Sequence, residues 1–208
     1  MKPIKIVIVL FMFVTLGCFT MSCSEHRISR LSAETPLDYS QYGRPPIPAK
    51  ILLLFPAEFG RFEHASNFAS GGIRYYLGRD AELEMRNAFG IEFAKVEIMP
   101  ARSEARAIEM LSPNDPENAR VRTYDYVAIS KFLRADSTED KEKYGFEIDL
   151  QVEFTANNGS SVTIRGHGES MIGKDAQSTR ENGASLALQY AVSALLDGIE
   201  KRRNLFVY

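Results

Sequence analysis

Three histidines, two cysteines and a few loop carboxylates are the side chains of this chain best suited to chemistry. His26, His64 and His167 are far apart, with no HxH or HExxH spacing among them. Zinc needs three or four ligands brought together, so the spacing implies no metal and no cofactor. Glu58 and Glu63 with His64 are close enough to form an acid–base group of a hydrolase. The plainer alternative is a solvated charged loop. Gly166-His167-Gly168 lacks the lysine and the helix start that a phosphate loop requires, and so does Gly71-Gly72. There is no GxSxG and no SxxK nucleophile motif. No catalytic residue is assigned. Cys18 and Cys23 are the only thiols, so disulfides, thiolate zinc sites and cysteine nucleophiles are excluded beyond position 23.

What the cysteines do imply is an address. Lys2 and Lys5 precede an apolar run from Ile6 to Gly17, which Cys18 and Cys23 close. A span needs about 20 apolar residues, so the run fits the apolar core of a signal peptide better than an anchor. A basic start, a short apolar core and a cysteine after a small residue together resemble a bacterial lipoprotein signal peptide. The alternatives are simple secretion and an uncleaved anchor. The resemblance implies cleavage before Cys18 or Cys23 and lipid on that cysteine. Gly17 favours the first choice, and the polar Ser24-Glu25 start favours the second by a small margin. By known sorting behaviour, an Asp after the lipidated residue would imply the inner membrane. Phe19 or Ser24 stands there, which implies the periplasmic face of the outer membrane.

The chain of 208 residues carries a formal charge of −2 and is 45% hydrophobic. That balance argues against nucleic acid, whose phosphates need concentrated Lys and Arg. Residues 1–22 read as signal, 23–48 as a flexible tether, and 49–208 as a single periplasmic α+β domain. Pro45, Pro46 and Pro48 favour extended polyproline geometry in the tether. Its alternative is a strand covering the domain edge.

The elements that position the rest follow from patterning. Ile51 to Phe55, stopped by Pro56, reads as a strand buried on both faces. Ala57 to Gly72 reads as a polar loop. Phe59, Phe62 and Phe68 within it either anchor a partner, as exposed aromatics do, or fold the loop onto the core. A helix is predicted over Arg79–Phe89 with Gly90 as its left-handed cap. A strand covers Ala94–Ile98. A short helix covers Ser103–Leu111 with Ala107, Ile108 and Leu111 inward. Ser112–Thr123 is a loop, Tyr124–Arg134 a strand, and Ala135–Lys143 a charged turn.

Phe146, Ile148, Leu150, Val152 and Phe154 alternate with Glu147, Asp149, Gln151 and Glu153, giving one dry and one wet face. A three-residue Asn157-Asn158-Gly159 loop with Gly159 left-handed pairs Phe154 with Val162 and Val152 with Ile164. His167 then faces Asp149 as a cross-strand pair. Gly166 and Gly168 fall on the dry face opposite Leu150 and Ile148. The missing side chains there leave room for the last helix or for a ligand. That helix starts at the Ser178-Thr179-Arg180-Glu181 capping pattern, or only at Ser185 because of Gly183. Lys201-Arg202-Arg203 suits its C-terminal end.

Tyr144 through Gly159, ending Thr155-Ala156-Asn157-Asn158-Gly159, followed by a second strand, a Gly-containing link and a long Ala-rich helix, resembles the YajG-type envelope lipoproteins. A more distant likeness is to auxiliary lipoproteins of lipid-transport systems. The resemblance offers no catalytic residues. The expected fold is a mostly antiparallel sheet of about five strands with two or three helices on one face. The leading functional expectation is a non-enzymatic accessory lipoprotein, held to the membrane by lipid and binding an envelope protein partner. The runner-up handles lipid or cell wall and binds an apolar ligand beside Gly166 and Gly168.

Overall fold

The structure, a computed structural model, describes residues 26–28, 44–68, 71–174 and 180–207. Cys18, Cys23, most of the tether and the Ser178-Thr179 cap lie outside the described residues. In chain order the elements begin with β1 (His26–Ile28), β2 (Ile47–Pro56), α1 (Ala57–Gly60), β3 (His64–Phe68) and β4 (Gly71–Tyr75). Then come α2 (Leu77–Glu92), β5 (Phe93–Ala101), α3 (Glu104–Glu109) and α4 (Asn118–Val121). A meander of β6 (Tyr126–Glu139), β7 (Lys143–Ala156) and β8 (Ser161–Gly173) leads to α5 (Arg180–Glu200).

The main sheet has the order β5-β2-β6-β7-β8. β2 is parallel to both β5 and β6, whereas β6, β7 and β8 are antiparallel. The sheet is therefore mixed, which corrects the mostly antiparallel expectation. Parallel neighbours need crossover connections, and crossovers of one hand that step in opposite directions lie on opposite faces. The connection from β2 to β5 carries α2 on one face, where Ile51 and Leu53 meet Met85 and Phe89. The connection from β5 to β6 carries α3 and α4 on the other, where Leu52 and Leu54 meet Ala107, Met110 and Val121. Helices therefore cover both faces of β2, not one face of the sheet. The double-sided burial read from Ile51–Phe55 has this cause.

A second sheet, β1-β4-β3, was not expected. The Ala57–Gly72 segment, read as loop, instead holds α1, β3 and the start of β4. Ser66 and Phe68 are the buried residues of β3, alternating with exposed Ala65 and Asn67. Two stretches of the tether range are described. β1 pairs parallel with Ile73–Tyr75 of β4, and β2 begins at Ile47. Gly90 lies inside α2, which ends at the extended Phe93. Ile108 is exposed, and Met110 fills the inward place.

The meander follows the predicted register. Phe154 pairs with Val162 and Val152 with Ile164, around a loop whose Gly159 has φ +84°. β6 continues through the charged Ala135–Glu139 because β7 keeps pairing with it, and the turn shrinks to Asp140 and its neighbours. The Asp140 carboxylate accepts from the amides of Glu142 and Lys143, which fixes that turn.

α5 lies on the dry face of β7 and β8. A Cβ on Gly166 would stand 2.0 Å from the Ala191 carbonyl oxygen, and one on Gly168 1.9 Å from that of Ala187. The helix backbone thus rests directly on the strand, and the gap is filled from within the chain. Gly183, inside α5 and not before it, lets Phe146 approach, and its carbonyl accepts from Ser170 Oγ at 2.6 Å.

Gly166→Leu or Gly168→Leu is expected to cost about 1–3 kcal/mol by overpacking, because backbone and not a flexible side chain must move. Thr163→Leu, on the exposed face, is expected to stay within about 0.5 kcal/mol. Denaturant unfolding measures both. Glycine variants as stable as the parent would contradict the close seat of α5.

Candidate functional site

The wet face of the meander carries the charged groups. A bulge at Leu133 inserts one residue between the Phe132–Leu150 and Arg134–Asp149 pairs. It keeps Lys131, Arg134 and Asp136 on the same side as Glu147, Asp149 and Gln151. Arg134 Nη1 donates to Glu147 at 3.0 Å and its Nε to Asp136 at 2.5 Å. Asp136 first and then Glu147 hold the guanidinium's pKa above its ordinary value. Glu147 also stands opposite Glu169 across the β7–β8 pair. Like charges directly opposite are unfavourable, and Arg134 offsets them.

At Gly145 the side chains of Thr138 and Met171 close in, 2.5 and 2.9 Å from where a Cβ would stand. A groove of about 370 Å³ lies over Gly145, lined by Arg134, Asp136, Glu147, Glu169 and Met171. Next to the groove, His167 Nδ1 and Asp149 Oδ1 are 2.8 Å apart, the cross-strand pair read from the sequence. Ligand atoms of Glu147, Asp149 and His167 lie within 4.8 Å of one another. A divalent ion could be held there by two carboxylates and an imidazole. The same groups already satisfy one another, with Arg134 on Glu147 and His167 on Asp149. Sequence spacing does not reveal the triplet, since Glu147 and Asp149 reach His167 only through the strand register.

Glu58, Glu63 and His64 do not converge. Glu58 accepts from the Glu104 amide at 3.2 Å, and Glu63 pairs with Arg74 at 3.0 Å. His64 Nε2 lies 3.0 Å from Ser137 Oγ, and burial lowers its pKa against the pull of Asp136. The three phenylalanines are likewise structural. Phe59 is 3% exposed and Phe68 6%, and their rings pack on Phe55 and Phe132 and on Tyr144 and Phe146 respectively. Phe62 stacks on Phe132 at 4.1 Å. Each hydrophobic ring holds the α1–β3 segment to the core. Burial at Phe59 and Phe68 agrees with the alternative in which these rings fold the segment onto the core. Gly166 and Gly168 lie under α5, as described above.

One buried acid was not legible at all. Glu92, at the end of α2, is 5% exposed and meets the end of α5. Glu200 there pairs with Arg44 at 2.8 Å and with Arg203 at 2.5 Å, and Arg203 also donates to the Pro45 carbonyl. Arg203 Nη1 is 3.9 Å from Glu92. Burial, then the hydrogen bond and charge of Glu200, pushes the Glu92 carboxyl up to about 7, against Arg203 and Arg44. Burial of Glu200 acts the same way, but Arg203, Glu92 and Arg44 outweigh it and its pKa falls. Between the ordinary carboxylate range and about pH 7, the shifts place the pair's proton on Glu92.

No protein-family model matches the chain, and no curated protein matches it. Among solved structures, it is similar to a hypothetical protein from Chlamydia trachomatis at 13% identity and a TM-score of 0.44, covering 74% of this chain and 95% of that one. A protein from Xanthomonas campestris is 12% identical with a TM-score of 0.43, over 88% and 98% of the two chains. A minor lipoprotein from Acinetobacter baumannii is 13% identical with a TM-score of 0.38, over 77% and 94%.

The Glu92 shift predicts a pH dependence. A carboxyl whose folded pKa is raised from 4.5 to about 7 contributes stability that is fully present below pH 4.5 and lost as pH rises through 7. Glu200, shifted down, contributes in the opposite sense, with stability lost as pH falls below its ordinary range. Glu92→Gln is therefore expected to flatten the decline of stability between pH 4.5 and 7. Urea unfolding across that window reads the slope; parallel curves for variant and parent would contradict the assignment.

Proposed function

We propose that this chain is a non-enzymatic, lipid-anchored protein of the bacterial cell envelope, on the periplasmic face of the outer membrane, that binds another envelope protein. The binding surface in this reading is the wet face of β6, β7 and β8, and kinship to the YajG-type lipoproteins belongs to the same proposal. The observation that carries it is the contrast between the two faces of the meander. One is sealed by α5 along Gly166 and Gly168. The other is polar, holds the Arg134–Glu147–Glu169 groove, and exposes Glu153, Thr163, Arg165 and His167. A fixed pattern of both charge signs on a rigid sheet suits recognition of a polar protein surface.

The alternative, an apolar ligand beside Gly166 and Gly168, has less support, because Ala187 and Ala191 occupy that volume. Hydrolysis by Glu58, Glu63 and His64 has less support too, because the three groups serve different partners.

A photo-crosslinking side chain at Thr163 or Glu169, in intact cells, is expected to give one discrete protein adduct. The same side chain at Tyr190, exposed on α5 at 45%, is expected to give none. Equal adducts from both surfaces, or none from the sheet, would remove the wet face from the proposal.

A further inference from the structure

β1 lies next to the cysteine that the signal reading favours. Only Ser24 and Glu25 separate Cys23 from His26, so the start of β1 is within about 10 Å of that residue, at ~3.3–3.6 Å per residue. β1 is parallel to β4, with His26 opposite Ile73 and Ile28 opposite Tyr75. Its beginning therefore points to the Gly71 end of β4, where Phe68 of β3 pairs with Gly71. Phe68 in turn packs on Tyr144 and Phe146 at the start of β7. That end of the molecule is fixed to the core by rings. The Asn157–Gly159 hairpin lies at the other end of β7, about 40 Å away at ~3.4 Å per residue.

We propose that β1 is a membrane-proximal clasp. With lipid on Cys23, it holds the β1-β4-β3 sheet and the Tyr144 end of the meander against the bilayer and directs the Asn157–Gly159 hairpin away from it. The inference rests on the lipoprotein reading of the proposed function and names the membrane-facing surface within it. Residues 29–43 then connect β1 to β2 and do not set the distance from the membrane. The occupant of this surface is the lipid bilayer itself. The short chain between Cys23 and His26 brings this surface to the bilayer without an apolar patch.

The test uses the full acylated protein in vesicles of phosphatidylethanolamine and phosphatidylglycerol containing a lipid with a spin-labelled head group. Asn67 and Asn158 are both exposed, and Asn67→Cys and Asn158→Cys, made singly, each accept a fluorescent label. Quenching is expected to be severalfold stronger at position 67 than at 158. A flexible Gly-Ser insertion of about ten residues between Glu25 and His26 is expected to abolish the difference, since it adds roughly 5–6 Å × √n of reach.

Flotation with the vesicles reports anchoring separately. Protein that fails to float overturns the lipoprotein reading, and the clasp with it. Protein that floats with equal quenching at both positions, or with quenching that the insertion leaves unchanged, overturns the clasp alone. Lipid found by mass spectrometry on Cys18 instead also overturns it, because the chain between anchor and β1 is then long enough to turn the molecule.

Discussion

The close seat of α5 on β8 sets the dimensions of everything around it. Gly166 and Gly168 let the backbone at Ala187 and Ala191 approach the strand nearly to contact, so Leu188, Val192 and Leu195 are committed to the core. Close packing of this kind leaves little room for adjustment. From that seat the helix carries its C-terminal end to the foot of α2, and Phe206 seals Phe93, Tyr126 and Phe154. Any ligand for the dry face would have to displace a helix and not fill a void. The free choice of surface chemistry is thereby left to the opposite face.

Around that seat the chain solves a second problem, how to bury β2 twice. α2 and the α3–α4 pair close over its two faces, and the small sheet extends the α2–α5 layer over the far end of the meander. Ser66 and Ser137 meet there at 2.5 Å with His64 beside them, a polar seam between two sheets. Phe59, Phe62 and Phe132 form the apolar part of the same seam. Aromatic rings at such a junction supply area and geometry together.

Local pattern made the β7–β8 hairpin legible down to its register. Strict alternation from Phe146 to Phe154 and one glycine needing positive φ leave a single solution. The seat of the last helix was legible for the same reason, since two glycines on a dry face leave a gap to fill. Strand order was not, because whether β2 pairs in parallel depends on groups far apart in sequence. β3 was missed because Ser66 and Asn67 have loop-like side chains, and their pairing with β4 and Ser137 is tertiary. The charges of Ala135–Glu139 suggested a turn, yet a strand with a committed partner tolerates polar side chains on its outer face. Within the site, the Asp149–His167 pair followed from register. Arg134 joined it through a bulge that no pattern announces, and Glu92 met Glu200 through two helix ends distant in sequence.

The Arg44–Glu200 pair and the Arg203–Pro45 contact also have a topological meaning. They bring the first residues of β2's approach and the last turn after α5 to one point, so the chain between them is a ring closed by one ion pair and one hydrogen bond. Its beginning and end are arbitrary as far as the strand order of the five-stranded sheet is concerned. A permuted protein, joined across residues 44 and 203 and opened at the Asp140–Lys143 turn, would keep the strand neighbours and crossovers of the five-stranded sheet, while giving up β1 and Phe206. The order in which the ribosome delivers the strands is then separable from the order in which the sheet uses them.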